Sequence, residues 1–279
     1  MSNPIVEVTD LIFDYPNGVR ALDGVGLRIE PGECLAIIGQ NGSGKSTLVR
    51  HFVGLLRATS GEVRVAGQAV GRRHVAELAR TVAIAFQNPD RQIFAGKVRD
   101  EVAFGPRNLG QRGAALEQGV DAALVAVGLH GHADTNPYDL GFSRRKLLSL
   151  ASVLAMRTPM VVLDEPTTGQ DARGVQRVEA IVRDLTTAGA TTVVISHDMR
   201  FVAEIARRVV VLRAGRIVAD ASPDVVFAED GWPVLRSTYL EPPLAARLGA
   251  SLGIGSTPTD QSLLDRASER SEGGLNAPG

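Results

Sequence analysis

The sequence predicts an α/β fold built on a largely parallel sheet. Three observations lead there. Short apolar runs alternate with amphipathic helical stretches along most of the chain. A glycine-rich loop joins one of those runs directly to a helix. Between Asn88 and about Met156 the alternation gives way to Ala/Leu-rich helical stretches separated by Gly and Pro clusters, which reads as an insertion into the α/β core.

Taken in order, Ile5 to Phe13 and Gly24 to Ile29 are strands that precede the first crossover helix, so they form a small antiparallel layer beside the main sheet. Cys34 to Ile38 is a buried strand running into the glycine-rich loop, and a helix follows over Lys45 to Leu56. Val63 to Val65 and Val82 to Phe86 are strands, with a short helix near His74 to Ala79. The insertion, residues 88–157, carries helices over Ala114 to Val127 and Ser143 to Met156. The core resumes with the strand Met160 to Leu163, a helix over Ala172 to Thr187, the strand Thr191 to Ile195, a helix after Asp198 and the strand Arg208 to Arg213. Residues 1–245 thus read as one domain. Residues 246–279, rich in Ser, Gly, Asp and Glu toward the end, read as a mobile extension.

Composition narrows the function. The 279 residues, 44% of them hydrophobic, can bury a sizeable core. With 30 basic against 31 acidic side chains, the net charge of −1 disfavours wholesale electrostatic binding to nucleic acid or an anionic membrane. The longest uncharged apolar run, Leu147 to Met156, is half of the roughly 20 residues that a spanning helix needs. Met1 to Asp10 has no basic or apolar leader region, and the single cysteine, Cys34, forbids an intrachain disulfide. These features predict a globular cytoplasmic protein. Lysine occurs only at 45, 97 and 146.

One lysine lies in the strongest motif. Gly39-Gln40-Asn41-Gly42-Ser43-Gly44-Lys45-Ser46-Thr47 matches G-x-x-x-x-G-K-[ST] between a strand and a helix. Such a loop turns backbone N–H groups inward around phosphates, and the helix directs its positive end at them. Lys45 reaches the β- and γ-phosphates, and the Ser46 hydroxyl ligates Mg²⁺. The strand Met160 to Leu163 ends in Asp164-Glu165. Asp164 would hold Mg²⁺ and Glu165 would polarise an attacking water as general base. Gln87 ends one strand and opens the insertion, His197 follows another, and Tyr15 is an aromatic that could stack on a nucleobase.

The order of P-loop, Gln87, Asp164-Glu165 and His197 resembles the nucleotide-binding subunit of ATP-binding cassette (ABC) transporters, over roughly residues 5–235. The resemblance implies a P-loop NTPase with a RecA-like core, an N-terminal antiparallel β layer and an inserted helical subdomain. It implies ATP and Mg²⁺ as cofactors and coupled ATP hydrolysis as the reaction. By it, Tyr15 is the adenine-stacking residue, Gln87 the Q-loop residue touching Mg²⁺, Asp171 the D-loop aspartate and His197 the switch histidine on the γ-phosphate. A narrower likeness lies in Phe86 to Phe94, Val98 to Glu101 and Val102 to Gly110, which look like the energy-coupling factor branch. That branch powers uptake of vitamins and of cobalt or nickel ions. It implies a homo- or heterodimer of ATPase subunits at the cytoplasmic face of the membrane. Its partners there are an integral membrane coupling subunit and a substrate-binding membrane component. Another ABC transporter is the alternative. A soluble ABC-type ATPase acting on nucleic acid or ribosomes is disfavoured by the near-neutral charge, the single cassette and the lack of a coiled-coil insertion.

The sequence departs from the family at one motif. ABC subunits carry Leu-Ser-Gly-Gly-Gln at the start of a helix, where it caps the γ-phosphate on the partner's P-loop. This chain has Leu140-Gly141-Phe142-Ser143-Arg144. Three readings stand: Ser143 is a displaced donor, the reading preferred here because Lys45, Gln87, Glu165 and His197 are intact; Ser143 is only a helix N-cap beside a weak half-site; or Arg144 or Arg145 replaces the lost hydrogen bond with charge.

Overall fold

The computed structural model describes residues 3–275. In chain order, β1 (Val6–Asp14) and β2 (Arg20–Ile29) lead to β3 (Cys34–Ile38), α1 (Lys45–Phe52), β4 (Ser60–Val65), β5 (Gln68–Ala69), α2 (Val75–Leu78) and β6 (Val82–Ala85). Three helices follow: α3 (Val98–Asn108), α4 (Gly113–Ala126) and α5 (Phe142–Met156). Then come β7 (Met160–Asp164), α6 (Ala172–Thr187), β8 (Thr191–Ile195), α7 (Met199–Ile205), β9 (Arg208–Arg213) and β10 (Arg216–Ala221). The described chain closes with α8 (Pro223–Val226), α9 (Trp232–Arg236), α10 (Leu244–Ser251) and α11 (Asp260–Leu275).

The strands form an antiparallel sheet in the order β2-β1-β4-β5 and a larger sheet in the order β10-β9-β3-β8-β7-β6. Every neighbouring pair in the larger sheet is parallel except β10 with β9. Its central strands β3, β7 and β8 are buried at every position because both faces are covered. Along β7, Val161 and Leu163 face the helical insertion, while Met160 and Val162 face α1 and the antiparallel layer. This alternation follows from the two-residue period of a strand.

Register builds the site. Ile37 pairs with Ile195, Asp164 with Ile195, and Ala85 with Leu163. The carboxyl ends of β3, β8, β7 and β6 therefore lie side by side at one edge, where ligands of open α/β sheets bind. The loop after Ile38, the Asp164-Glu165 pair, His197 and Gln87 all leave the sheet at that edge.

The short elements β5, α8 and α9 have no counterpart in the sequence reading, and three larger features also depart from it. Val98–Asn108 is a helix despite Gly105 and Pro106, because Val98, Glu101, Val102 and Pro106 bury one face, and the helix packs on α5. Packing there outweighs the intrinsic penalty of an internal proline. β9 and β10 form a hairpin around Ala214-Gly215, both with positive φ. That is the geometry of a tight primed turn, but Ala-Gly lacks the Asn or Asp that advertises one. The extension from residue 246, for which the sequence predicts no helix at 260–275, contains most of α10 and the described residues of α11. Thr257 is fully buried and donates its hydroxyl to Ala245 O at 2.8 Å. Thr259 Oγ1 accepts from Ser262 N and Ser262 Oγ from Thr259 N, a reciprocal cap that starts α11.

Candidate active site

The glycine-rich loop wraps the start of α1. Gly39 has φ +148°, and a Cβ there would lie 2.1 Å from Leu212 O, so only glycine fits between the loop and β9. Lys45 is buried at the first turn of α1 and donates through Nζ to Gly39 O at 2.6 Å and Gln40 O at 2.9 Å. Burial lowers its pKa from the usual lysine value, while Glu165 and Asp164 pull it back up. The Ser46 hydroxyl donates to Asp164 Oδ1 at 3.2 Å, joining α1 to the end of β7.

Asp164 is buried, and that burial raises its carboxyl above the usual aspartate range, against the hydrogen bond from Ser46 and the Lys146 charge. Next to it, Glu165 is a non-glycine residue at φ +53° whose N–H donates to Ile195 O at 2.9 Å. Such a backbone is strained and is held by its surroundings. It sends the Glu165 carboxylate toward His197, whose Nδ1 lies 2.7 Å from Glu165 Oε2. A carboxylate can only accept, so Nδ1 carries the proton and Nε2 is the free ring nitrogen. Asp198 fixes the histidine's turn by accepting from Phe201 N at 3.0 Å, as the N-cap of α7.

The remaining predicted residues fall around this centre. Tyr15 lines a cleft of about 450 Å³ with Val19, Ala21 and the P-loop residues Asn41 to Thr47, and its hydroxyl meets Thr47 Oγ1 at 2.9 Å. Gln87 is exposed and borders this cleft and a second one of about 650 Å³ on the other side of Glu165. Asp171 lies apart as the N-cap of α6, with Oδ1 accepting from Gly174 N at 2.7 Å.

The segment Leu140 to Arg144 is rebuilt rather than merely altered. α5 begins at Phe142, with Gly141 as N-cap and no side-chain cap. Ser143 is therefore not the N-cap; it sits inside the first turn. Its hydroxyl donates to Gln170 Oε1 at 2.8 Å, and Gln170 Nε2 donates back to Ser143 O at 3.0 Å. The Ser143 hydroxyl is thus engaged within its own chain. The Phe142 ring lies over Gly169, where a Cβ would come within 2.8 Å of it. Arg144 is exposed, whereas Arg145 pairs with Asp90 at 3.0 Å and donates to Leu140 O.

Several contributors escaped the sequence reading. Lys146 is buried and donates from Nζ to Gln87 O at 2.7 Å and Asp164 O at 3.3 Å. Burial pushes its ammonium down to about 8. Gln92 accepts from Phe86 N and donates to Ser149 O, each at 3.1 Å. Gln170 clasps Ser143, and residues 238–244 form the far wall of the second cleft, facing Gly39 to Asn41 and His197. The only sequence hints were a lysine retained in an arginine-rich chain and the Pro-Pro run at 242–243.

The site suits Mg²⁺. Asp164 Oδ1 and Ser46 Oγ supply hard oxygen donors 3.2 Å apart, beside the exposed amide of Gln87. Among the described residues no group of three or more His, Cys, Asp or Glu side chains could cage a metal. One carboxylate and one hydroxyl are what Mg²⁺ uses when phosphates and water complete its shell.

The ABC transporter family profile matches residues 22–168. The energy-coupling factor transporter ATP-binding protein EcfA of Methanocaldococcus jannaschii is 39% identical over 246 residues, 88% of each chain. The protein of the same name from Methanothermobacter thermautotrophicus is 38% identical over 227 residues, 81% of this chain and 73% of its own. Among solved structures, CbiO1 from Clostridium perfringens, described as part of the ABC transporter complex CbiONQ, superposes with a TM-score of 0.73 at 32% identity, covering 88% of this chain and 99% of its own. A dimeric ATP-binding cassette bound to ADP and Pi superposes at 0.72 over 78% of this chain and 98% of its own; at 24% identity that likeness is one of fold.

Proposed function

We propose a specific role for this chain, which belongs to the ABC transporter family of ATP-binding proteins: it is the ATPase of an energy-coupling-factor importer for a small micronutrient, a metal ion or a vitamin. The coarser activity is that of the family, ATP binding and hydrolysis coupled to transport. The observation that carries the reading is the convergence of Lys45, Ser46, Asp164, Glu165 and His197 at one edge of the parallel sheet.

In this reading ATP lies along the P-loop with its base beside Tyr15. Lys45 leaves the carbonyls of Gly39 and Gln40 for the β- and γ-phosphates. Ser46, Asp164 and Gln87 hold Mg²⁺, which when bound neutralises phosphate charge. Glu165 accepts the proton of the attacking water. His197, held through Nδ1–H, keeps that carboxylate aimed. A second ATPase subunit, identical or related, would pack head to tail and bring its own counterpart of Leu140 to Arg144 over this P-loop.

Two features support the energy-coupling-factor branch: the stretch Phe86 to Gly110 and the EcfA and CbiO1 relatives. No helix among the described residues is long and apolar enough to cross a membrane. In this reading the protein is peripheral at the cytoplasmic face and reaches the bilayer through a membrane coupling subunit and a substrate-binding component. Exposed Phe94 and Phe104, edge to face at 4.6 Å beside Gln87's loop, offer an apolar contact for such a subunit. Purification from native membranes in mild detergent tests the assignment. Small hydrophobic membrane proteins should accompany the chain in stoichiometric amounts. Recovery without them, together with salt-dependent binding to DNA or ribosomes, would sink it.

A further inference from the structure

We propose that Lys146 is a positioning residue: from α5 it holds the main chain of Gln87 against the end of β7, so that the placement of the Gln87 side chain follows the placement of the helical insertion. This rests on the nucleotide-site reading above. Lys146 is 5% exposed, and its ammonium is bonded to two main-chain carbonyls, those of Gln87 and Asp164. No ion pair of Lys146 occurs among the described residues, so the cation is buried without a bonded counter-ion. Burying an ammonium is unfavourable, and an apolar side chain of the same length would fill the same space. What the charge adds is a pair of directed, charge-assisted bonds across three segments of chain.

The rest of the segment is tied to the same helix. Gln92 bridges Phe86 N to Ser149 O, and Arg145 pairs with Asp90. Residues 86–92 thus hang from α5 at three points, with Lys146 the one nearest the carboxylates. Phe142 and Lys146 are four residues apart on α5 and share a face. The turn resting on Gly169 and the turn gripping Gln87 therefore belong to one rigid rod. A tilt of the insertion reaches Gln87, Asp164 and Gly169 together.

The test uses the full-length chain assembled in its ATPase dimer. Steady-state ATPase, nucleotide affinity, Mg²⁺ dependence and thermal midpoint are measured for wild type, Lys146→Met, Lys146→Arg and Glu165→Gln. Lys146→Met should lower kcat by about tenfold or more, the scale of one lost hydrogen bond to a charged group. It should raise the Mg²⁺ needed for half-maximal rate, with nucleotide affinity and thermal midpoint near those of wild type. Lys146→Arg, which keeps the charge and the donors, should recover most of the rate. Should Lys146→Met not fold, Lys146→Gln, which is uncharged and too short by one bond to reach both carbonyls, is read in its place against the same thresholds. A kcat within about twofold of wild type for Lys146→Met, beside an inactive Glu165→Gln, overturns the proposal alone. So does a joint fall of kcat, affinity and thermal midpoint, which marks a lysine that only supports the fold. Full activity in Glu165→Gln removes the nucleotide-site reading itself.

Discussion

The P-loop edge of the sheet keeps the family's motif residues, whereas the first turn of α5 departs from them. At the sheet edge, the charged and hydroxyl side chains of the site are each held by a hydrogen bond: Lys45 on the carbonyls of its loop, Ser46 on Asp164, His197 on Glu165. At the α5 turn, Gly141, Phe142 and Arg144 are exposed, but the side chains nearest the helix start are engaged within their own chain. Ser143 is engaged with Gln170, and Phe142 covers Gly169. The contrast separates two jobs. Binding and cleaving phosphate on this chain's own loop depends on fixed functional groups. Capping a phosphate on another chain can lean on a well-held helix end, whose main-chain N–H groups are independent of side-chain identity.

That contrast can be broken at its strongest point first. Glu165→Gln should lower ATP turnover by about 10²–10⁴-fold, the worth of a positioned general base, while leaving nucleotide binding in place. Normal turnover, followed by phosphate release, would falsify the role given to Glu165. Next in size is Lys45→Met. Losing a charged donor to phosphate should weaken ATP binding by roughly 10–100-fold, read by equilibrium titration of the purified chain. An unchanged affinity would mean that the loop binds through its backbone alone.

The smallest expected effect sharpens the other half. Ser143→Ala and Gln170→Ala should each change turnover by less than about tenfold, and the double variant should do no more than either single one, with a coupling of about 1 kcal/mol. Such a result places the hydroxyl in the clasp seen here. Additive losses in the assembled dimer, with Ser143→Ala alone costing far more than Gln170→Ala, would instead return Ser143 to the role of donor across the interface.

The sheet strands, the P-loop, the Asp164-Glu165 pair and His197 were legible because each is written in a contiguous stretch. A five-residue apolar run flanked by turn signals can do little but make a strand buried on both faces. From Met160 to Arg213 the sequence pattern and the structure agree to within about a residue at most element ends. The β9–β10 hairpin was missed because Ala214-Gly215 performs a turn usually marked by Asn or Asp. α3 was missed because Gly105-Pro106 argues against a helix locally, and only its buried face on α5 overrides that. The same limit applies to Ser143, whose place near a helix start suggests a donor displaced from the family's motif, or a cap; Gly141 occupies the N-cap position and the Ser143 hydroxyl bonds Gln170, 27 residues away.

The sequence by itself determined that a glycine-rich loop joins a strand to a helix and that two carboxylates and a histidine sit at strand ends. Those features depend on local backbone geometry, and a few adjacent residues dictate it. The tertiary structure alone decided which groups hold that site in place. Lys146 meets a carbonyl 59 residues away, Gln92 one 57 residues away, and Ser143 an amide 27 residues away. No period or spacing along the chain encodes such pairs. They exist because the sheet and the insertion pack against each other, and a buried donor there must find its acceptor or leave both unpaired.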